Sequence, residues 1–240
     1  MMNTLNPMTF IHLEDITPIE MEAKTDEDSG KRVYLTPQGE KYASVTTVIG
    51  SNPAKMKGIM KWRKRVGEDK ANAISKRSTS RGTKYHSIVE DYINNVLDLD
   101  DYKKFPLPVV MFHHSRASLD RINKIYLQEA ALYSDTLKLA GRVDCIAEFD
   151  GELSIIDFKT SAQPKKVEYL YDYFVQECAY ACMLKERYDL NVKQLVTIVA
   201  CENGDTQVEV RPLKREYLTT LLKYIDEYNN THGKKQTIRG

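Results

Sequence analysis

The sequence has no long apolar run, few cysteines and almost no net charge. Its apolar stretches stay below 18 residues, so no membrane span is predicted, and its first residues lack the apolar core of a secretion signal. We therefore expect an intracellular protein that does not contact a membrane, and the acid-rich residues 14–28 argue against a transit peptide.

The cysteines form no C-x-x-C pair, and their spacing fits neither a zinc site nor a disulfide framework. We expect them to be small buried residues of a protein in a reducing compartment. The four are Cys145, Cys178, Cys182 and Cys201.

The composition is that of an ordinary globular protein, but the charge is unevenly distributed. The chain has 240 residues, of which 42% are hydrophobic and 29% charged, which suits one domain with a sizeable core. Its net charge is only +1. The segment Lys55–Lys84 has 11 Lys/Arg against 2 Asp/Glu, so it carries +9 and the rest about −8. Such asymmetry indicates one surface that meets a polyanion.

Periodicity and turn residues predict an α/β fold with a central mixed β-sheet flanked by helices, plus an N-terminal helical elaboration. Residues 129–134 could end a helix or begin a strand. The predicted elements are a hairpin at 31–50 turning at 37–39, a basic helix at 54–78 weakened at Gly58 and Gly67, a helix start signal at 79–82, an amphipathic helix at 83–97, a helix at 112–128, a hairpin at 140–161, a helix near 170–187, strands at 194–202 and 206–213, and a helix at 214–230.

We expect a single domain spanning residues 1–240. Within it, residues 1–30 are predicted to be mobile, residues 31–128 to form the hairpin and a helical DNA-binding elaboration, residues 129–232 to form the catalytic sheet core, and residues 233–240 to be a frayed tail.

The stretch AGRVDCIAEFDGELSIIDFKTS predicts a hairpin with charges in unusual places. Asp150-Gly151 is a strong two-residue turn, so facing residues have numbers that sum to 301. Asp144 then faces Asp157, and Lys159 shares their side of the sheet. Opposed carboxylates destabilise a sheet unless something neutralises them. A salt bridge to Lys159 or Arg142 would do so, as would a hard divalent ion such as Mg²⁺ or Mn²⁺.

Four motifs in order give this region a resemblance to a known family. They are Gly82 and His86 in RGTKYH, Gly141 and Asp144 in GRVD, Asp157 and Lys159 in DFK, and Gln176 and Tyr180 in QECAY. This set resembles the RecB-like branch of the PD-(D/E)XK nuclease superfamily. Over residues 32–200 the sequence also looks like the mitochondrial genome maintenance exonuclease group and its phage-encoded relatives.

The resemblance implies a restriction-endonuclease-like core and a Mg²⁺-dependent site, with Mn²⁺ as a substitute. Metal ligands would be Asp144, Asp157, the main-chain carbonyl of Phe158 and, as a ligand or a water-positioning group, His86. Catalytic roles fall to Asp144, Asp157, Lys159, His86, Gln176 and Tyr180, with Glu129 an additional candidate ligand and Glu90, Arg142, Thr160 and Ser161 as supporting residues.

Some of these assignments have structural alternatives. Gln176 and Tyr180 share one helix face and could equally be a hydrogen-bonded polar pair of the core. Glu90 could be an ordinary solvated glutamate. Some RecB-like nucleases hold an iron–sulfur cluster with four cysteines, but no flanking set exists here, so we expect none.

The basic segment predicts contact with DNA. Cationic side chains neutralise phosphates and aromatic rings offer faces to unpaired bases, although a solvated helix face is the alternative. The resemblance implies a helical arch around single-stranded DNA. The candidates are Lys61, Trp62, Arg63, Lys64, Arg65, Lys76, Arg77, Arg81, Lys84 and Tyr85.

Together these features predict a metal-dependent deoxyribonuclease, an exonuclease that acts on single-stranded DNA ends and leaves 5′-phosphates. The alternatives are a structure-specific or flap endonuclease with the same site and a catalytically silent DNA-binding module. The expected partner is DNA, bound by a monomer in the cytoplasm (that of the host, if the protein is phage-encoded). Any replication or recombination partner is unknown.

Overall fold

The structure is a computed structural model that describes residues 9–27 and 30–232. Within these ranges eight strands form one sheet: β1 (Glu22–Thr25), β2 (Arg32–Leu35), β3 (Lys41–Ser44), β4 (Ile122–Ser134), β5 (Leu139–Phe149), β6 (Glu152–Ser161), β7 (Gln194–Cys201) and β8 (Thr206–Pro212). The helices are α1 (Val45–Gly50), α2 (Pro53–Val66), α3 (Glu68–Ile93), α4 (Pro106–Leu119), α5 (Tyr171–Tyr188) and α6 (Arg215–His232).

The sheet is mixed, as the sequence predicts. Seven of the described strands follow one another in the order β1-β2-β3-β5-β6-β7-β8. Strand β4 lies outside this order and pairs with β5. The pairs β3–β5 and β6–β7 are parallel and the other pairs are antiparallel. Helices cover both faces of the sheet, so the mixed α/β architecture is confirmed.

Strand β5 lies at a fork in the sheet. Strand β4 pairs with β5 from Leu139 to Phe149. The opposite edge of β5 is shared, because β6 pairs with it at Cys145–Phe149 and β3 only at Leu139 and Ala140. Among the described strands, none pairs with that edge between Gly141 and Asp144. The fork therefore opens the sheet at the G-x-x-D motif.

Two apolar layers form the core on either side of the sheet. One layer packs α1, α5 and α6 against the sheet through residues such as Val48, Val175 and Leu221. The other packs α3 and α4 through residues such as Ile88 and Met111. Helix α5 is buried on most sides, as its apolar sequence predicts.

Helices α2 and α3 differ from the prediction for residues 54–97. Gly67, with φ of 87°, separates two helices, and α3 then runs without a break to Ile93. The start signal predicted at 79–82 is wrong, because those residues lie in the middle of α3. The predicted end at residue 97 is also wrong, since Asn95 has φ of 60° and terminates the helical path.

The helix predicted at 112–128 is confirmed for residues 112–119 and wrong beyond them. Helix α4 begins at Pro106 and ends at Leu119. Pro106 and Pro108 occupy its first turn, where a missing N–H breaks no helical hydrogen bond. Residues 122–134 form β4 instead, which resolves the ambiguity of 129–134 in favour of a strand. The predicted boundary at 128/129 therefore falls inside a strand.

Part of the N-terminal segment forms secondary structure. Strand β1 lies within residues 1–30, the segment that the sequence predicts to be mobile. Residues His12 and Ile19 also form isolated bridges with β4. The end of the predicted hairpin at 45–50 is helix α1, capped by Ser44. Residues 1–8, 28–29 and the predicted frayed tail 233–240 lie outside the described residues.

Candidate active site

Three carboxylates lie in a row across β4, β5 and β6 at the fork. The β4–β5 register places Gln128 opposite Cys145 and Ala130 opposite Val143, so Glu129 and Asp144 occupy facing positions between these pairs. The β5–β6 register runs from Phe149–Glu152 to Cys145–Ile156, each pair summing to 301 as predicted. It ends one residue before Asp144 and Asp157, the next facing positions.

Both ladders are interrupted where the carboxylates meet. Glu129 has φ of 45°, a left-handed conformation that costs free energy in a non-glycine residue. The amide N–H of Phe158 donates to Asp144 Oδ2 at 2.8 Å. Main-chain pairing is thus replaced locally by side-chain contacts, and the acidic groups gather at an opening in the sheet.

His86 completes a cluster of potential metal ligands. Its Nδ1 lies 3.8 Å from Asp144 Oδ2 and 4.0 Å from Glu129 Oε1. One donor atom from each of the three residues lies within 4.8 Å of the others. Burial lowers the pKa of His86, but Asp144 and then Glu129 outweigh it and raise the pKa to about 9. The imidazole therefore lies in a strongly negative field that suits a cation.

Asp157 lies beside this cluster and is held by two other motif residues. Gln176 Nε2 donates to Asp157 Oδ1 at 3.0 Å, and the Lys159 ammonium forms an ion pair with Oδ2. Burial and Asp144 together raise the pKa of Asp157 to about 6, against the opposing effect of Lys159. Desolvation would lower the pKa of Lys159, but Asp157 and Asp144 raise it, so the ammonium stays charged.

One face of α5 lies over this part of the sheet. Besides Gln176, this face presents Tyr173, whose ring centre is 5.0 Å from Lys159 Nζ. Glu177 is fully buried and accepts a hydrogen bond from the hydroxyl of Thr197, the neighbour of Asp157 on β7. Burial and then Asp157 raise the pKa of Glu177 well above its usual range.

Sequence reasoning missed Tyr173, Glu177 and Thr197. Tyr173 and Glu177 share the i, i+3, i+4, i+7 face of Gln176 and Tyr180, and this spacing is the signal that could have found them. Thr197 carries no such signal, because its relation to Asp157 depends on strand pairing.

The packing of Tyr180 explains why the first position of the G-x-x-D motif, Gly141, is a glycine. A Cβ atom added at Gly141 would lie 2.8 Å from Tyr180 Oη and 2.9 Å from Tyr180 Cε1. Contacts this short are not tolerated without movement. The Q-x-x-x-Y and G-x-x-D motifs are therefore coupled by packing, in addition to any chemical role of Tyr180.

We expect Gly141→Ala to destabilise the fold by about 2 kcal/mol, because the new methyl group overpacks a rigid ring. Thermal unfolding should show a melting temperature lower by roughly 4–8 °C. The matched control is Gly82→Ala, whose Cβ would lie 3.6 Å from Thr160 Oγ1, an ordinary contact. It should retain or raise the melting temperature, because alanine favours helix. Equal melting temperatures for the two variants would contradict the steric explanation.

The supporting residues lie around the row. Arg142 Nε is 3.1 Å from Glu129 Oε2. Glu90 follows His86 by one helical turn, and its pKa is raised by burial and then by Glu129. Thr160 Oγ1 accepts a hydrogen bond from Arg81, and the carbonyl of Ser161 accepts one from Glu202 N at 3.0 Å.

Two predicted DNA-binding residues are placed in the interior. Tyr85 is fully buried, and its hydroxyl lies 2.8 Å from Ser115 Oγ, so the expectation that its ring contacts DNA is corrected. Arg81 is 8% exposed and is paired with Glu202, which also binds Arg77 at 2.8 Å. Burial of α3 against the sheet accounts for both placements.

The remaining basic candidates lie on helix surfaces. Helix α2, which contains the predicted residues 61–65, has no buried residue. Lys61, Lys64 and Arg65 are exposed, whereas Arg63 pairs with Glu68. Of the others, Trp62 is partly buried, Lys76 is exposed, and Lys84 Nζ lies 4.6 Å from the ring centre of Phe105.

Three of the four cysteines lie in the interior, as the sequence predicts. Cys145, Cys178 and Cys201 are buried, and Cys182 is partly buried. None of the helices in the described ranges is long and apolar enough to cross a membrane.

Comparison with known proteins gives a family and several relatives. The profile of the PD-(D/E)XK nuclease superfamily matches residues 107–233. Mitochondrial genome maintenance exonuclease 1 from Homo sapiens is 25% identical over 208 residues, which cover 82% of this chain and 60% of the human protein. The protein of that name from Mus musculus is 26% identical over 195 residues, covering 77% of this chain and 57% of the mouse protein.

The chain thus spans about 60% or less of the length of these relatives. A solved structure of a candidate exonuclease from Eubacterium rectale is 11% identical, with a TM-score of 0.44 over 61% of this chain and 64% of that one. The profile match covers more than half of the chain and includes the D-x-K and Q-x-x-x-Y motifs. The chain therefore belongs to the PD-(D/E)XK nuclease superfamily.

Proposed function

We propose that this nuclease is a divalent-metal-dependent exonuclease that acts on single-stranded DNA ends as a monomer inside the cell. The observation that carries the proposal is the row of Glu129, Asp144 and Asp157 at the fork, with His86 and Lys159 at its sides. Grouped carboxylates repel one another and so destabilise the fold, but they can bind a metal ion for phosphate hydrolysis.

The residues at the fork fit a divalent cation. His86, Glu129 and Asp144 offer one imidazole nitrogen and carboxylate oxygens within a single coordination sphere. Asp157 Oδ2 is buried and, among the described residues, has no hydrogen-bond partner beyond its ion contact with Lys159. Asp157 and the carbonyl of Phe158 would complete the ligand set. A bound Mg²⁺ or Mn²⁺ would supply Lewis-acid charge at the scissile phosphate and lower the pKa of a bound water.

The surrounding residues orient these groups. Gln176 fixes the carboxylate plane of Asp157, and the Phe158 amide fixes that of Asp144. Lys159 offers three N–H donors, of which Asp157 occupies one, so the others can contact the attacking water or the phosphate oxygens. Expulsion of the 3′-oxygen would leave a 5′-phosphate on the product.

Helix α2 supports the preference for single-stranded DNA. It has no buried residue, its lysines are exposed, and its apolar side chains Met56 and Met60 are 45% and 66% exposed. A basic helix with exposed apolar side chains can contact phosphates and unpaired bases together.

Incubation with end-labelled linear and with circular single-stranded DNA tests this function. Cleavage of the linear form only, dependent on Mg²⁺ or Mn²⁺, is the expected result, and ligation of the products would report their 5′-phosphates. Cleavage of circular DNA would identify an endonuclease. Salt-sensitive binding without cleavage under any divalent ion would identify a silent binding module.

We expect charge reversal of Lys61, Lys64 and Arg65 to weaken single-stranded DNA binding and to reduce its salt dependence. Removing one phosphate contact should lower the slope of log K against log salt by about 0.7. The matched control reverses Lys185, Lys193 and Lys214, three exposed lysines outside α2 and α3. Fluorescence anisotropy over a salt series makes the comparison. Equal slopes of log K against log salt for the two triple variants would show that α2 is not part of the DNA-binding surface.

A further inference from the structure

A second cationic group lies beside the active site, on the segment that joins β6 to α5. Lys165 Nζ donates a 2.8 Å hydrogen bond to Tyr173 Oη and lies 5.1 Å from the centre of the same ring. Lys159 Nζ lies 5.0 Å from that ring centre. Both ammonium groups therefore contact one aromatic side chain and are at most about 10 Å apart.

The position of Lys165 is fixed by the main chain. The side-chain amide of Gln207 on β8 accepts from Lys165 N and donates to Lys165 O, each at 2.9 Å. This paired contact ties the segment to the edge strand. Together with the hydrogen bond to Tyr173 Oη, it keeps the ammonium beside that ring.

The charge of Lys165 is not neutralised locally. From Lys159 to Lys166 the sequence has three lysines and no carboxylate. Lys159 is paired with Asp157, but within the described residues no carboxylate forms an ion pair with Lys165. The contact that Lys165 makes is to the Tyr173 hydroxyl, whose oxygen is the acceptor, so the hydroxyl hydrogen is available for donation to another group.

We propose that Lys165 and Tyr173 form a phosphate subsite that binds the DNA strand at a phosphate next to the scissile one. Two ammonium N–H groups of Lys165 and the Tyr173 hydroxyl supply converging donors for phosphate oxygens. Because the Tyr173 ring also contacts Lys159, the subsite sets the position of the strand relative to the site of cleavage. The subsite rests on the proposed function, since it assigns a substrate contact to that same site.

The variants that test the subsite are Lys165→Gln, Tyr173→Phe, the double variant, and Lys166→Gln as a matched control with the same change of charge. The probe is a fluorescein-labelled single-stranded oligonucleotide of mixed sequence, bound in EDTA so that no cleavage occurs. Cleavage of the same oligonucleotide in Mg²⁺ gives kcat and KM separately.

We expect Lys165→Gln to raise Kd and KM about tenfold with little change in kcat, as removal of one charge-assisted hydrogen bond to phosphate implies. Tyr173→Phe keeps the ring and removes the hydroxyl, so it should weaken binding about threefold. The double variant should bind no more weakly than Lys165→Gln alone, because the two groups act on one phosphate. Lys166→Gln should stay within about twofold of the wild type.

Equal Kd values for Lys165→Gln and Lys166→Gln would overturn the subsite, as would multiplying effects of the two single changes. If the wild type cuts DNA in either of these cases, the proposed function stands without the subsite. If the wild type binds DNA but never cuts it, the proposed function is wrong. Non-additive effects of the two single changes on Kd would then still show that Lys165 and Tyr173 bind one phosphate. Absence of any binding of the oligonucleotide would overturn both.

Discussion

Lys159→Ala should lower the rate of DNA cleavage about 100- to 1000-fold and leave DNA affinity within about twofold, the loss typical of removing one donor to a developing charge. The ammonium contacts Asp157, and its pKa is raised by Asp157 and Asp144, so it is charged at neutral pH. Its removal takes away the cationic side chain that contacts Asp157.

The same change also leaves the buried Asp157 carboxylate without its ion-pair partner. Removing one member of a buried pair is strongly destabilising, so the folded state of the variant needs to be checked by circular dichroism and thermal unfolding. Lys159→Gln is the second variant, since its amide can still donate to Asp157 while it carries no charge. Lys166→Ala is the control for a nearby exposed lysine.

Single-turnover cleavage of end-labelled DNA and binding in EDTA separate the two effects. If a folded Lys159→Gln protein cleaves DNA at the wild-type rate, the charge of Lys159 is not needed for cleavage. A protein that loses binding and cleavage in equal proportion would instead make Lys159 a substrate-binding residue.

Asp144→Asn should abolish both metal binding and cleavage while preserving the metal-free fold. Asp144 lies at the centre of the acidic row, and its Oδ2 is 3.8 Å from His86 Nδ1. An asparagine has the same shape, and its oxygen can still accept from Phe158 N, so we expect a free energy of unfolding within about 1 kcal/mol of the wild type.

Metal binding can be measured as a rise in the melting temperature of the protein. A ligand at 100 times its Kd stabilises the wild type by about 2.7 kcal/mol, which raises the melting temperature by several degrees. Asp144→Asn should not show this rise in Mg²⁺ or in Mn²⁺. The control is Glu148→Gln on the same strand, which removes the partner of Lys124 at a partly buried position four residues from Asp144. A metal-induced rise that survives in Asp144→Asn would place the cation elsewhere.

The hairpin register shows how far local sequence rules reach. The Asp150-Gly151 turn has φ values of 52° and 84°, as its residue types require, and it fixes every pair from Phe149–Glu152 to Cys145–Ile156. The opposition of Asp144 and Asp157 follows from this turn by counting. The ladder stops just before that pair, where Phe158 N donates to the Asp144 side chain, and counting along the strands does not provide this.

The helices show the opposite case. The start predicted inside α3 and the helix predicted over β4 both depend on short windows, in which capping residues and apolar spacing have several interpretations. Tertiary packing decides between them: the part of α3 from Arg81 to Ile93 is packed into the interior, and residues 122–134 pair with β5. Burial of Tyr85 and Arg81 is another consequence of that packing, invisible in a basic stretch of sequence.

The sequence by itself determined the family motifs, the mixed sheet, the hairpin register and the identity of the charged groups at the site. These properties depend on residue type and short spacing, which a chain carries with it before it folds. Only the tertiary structure decided that Glu129 adopts a left-handed conformation, that Tyr180 packs on Gly141, and that Tyr173 links Lys159 with Lys165. Each of these depends on contacts that the chain makes only after it folds.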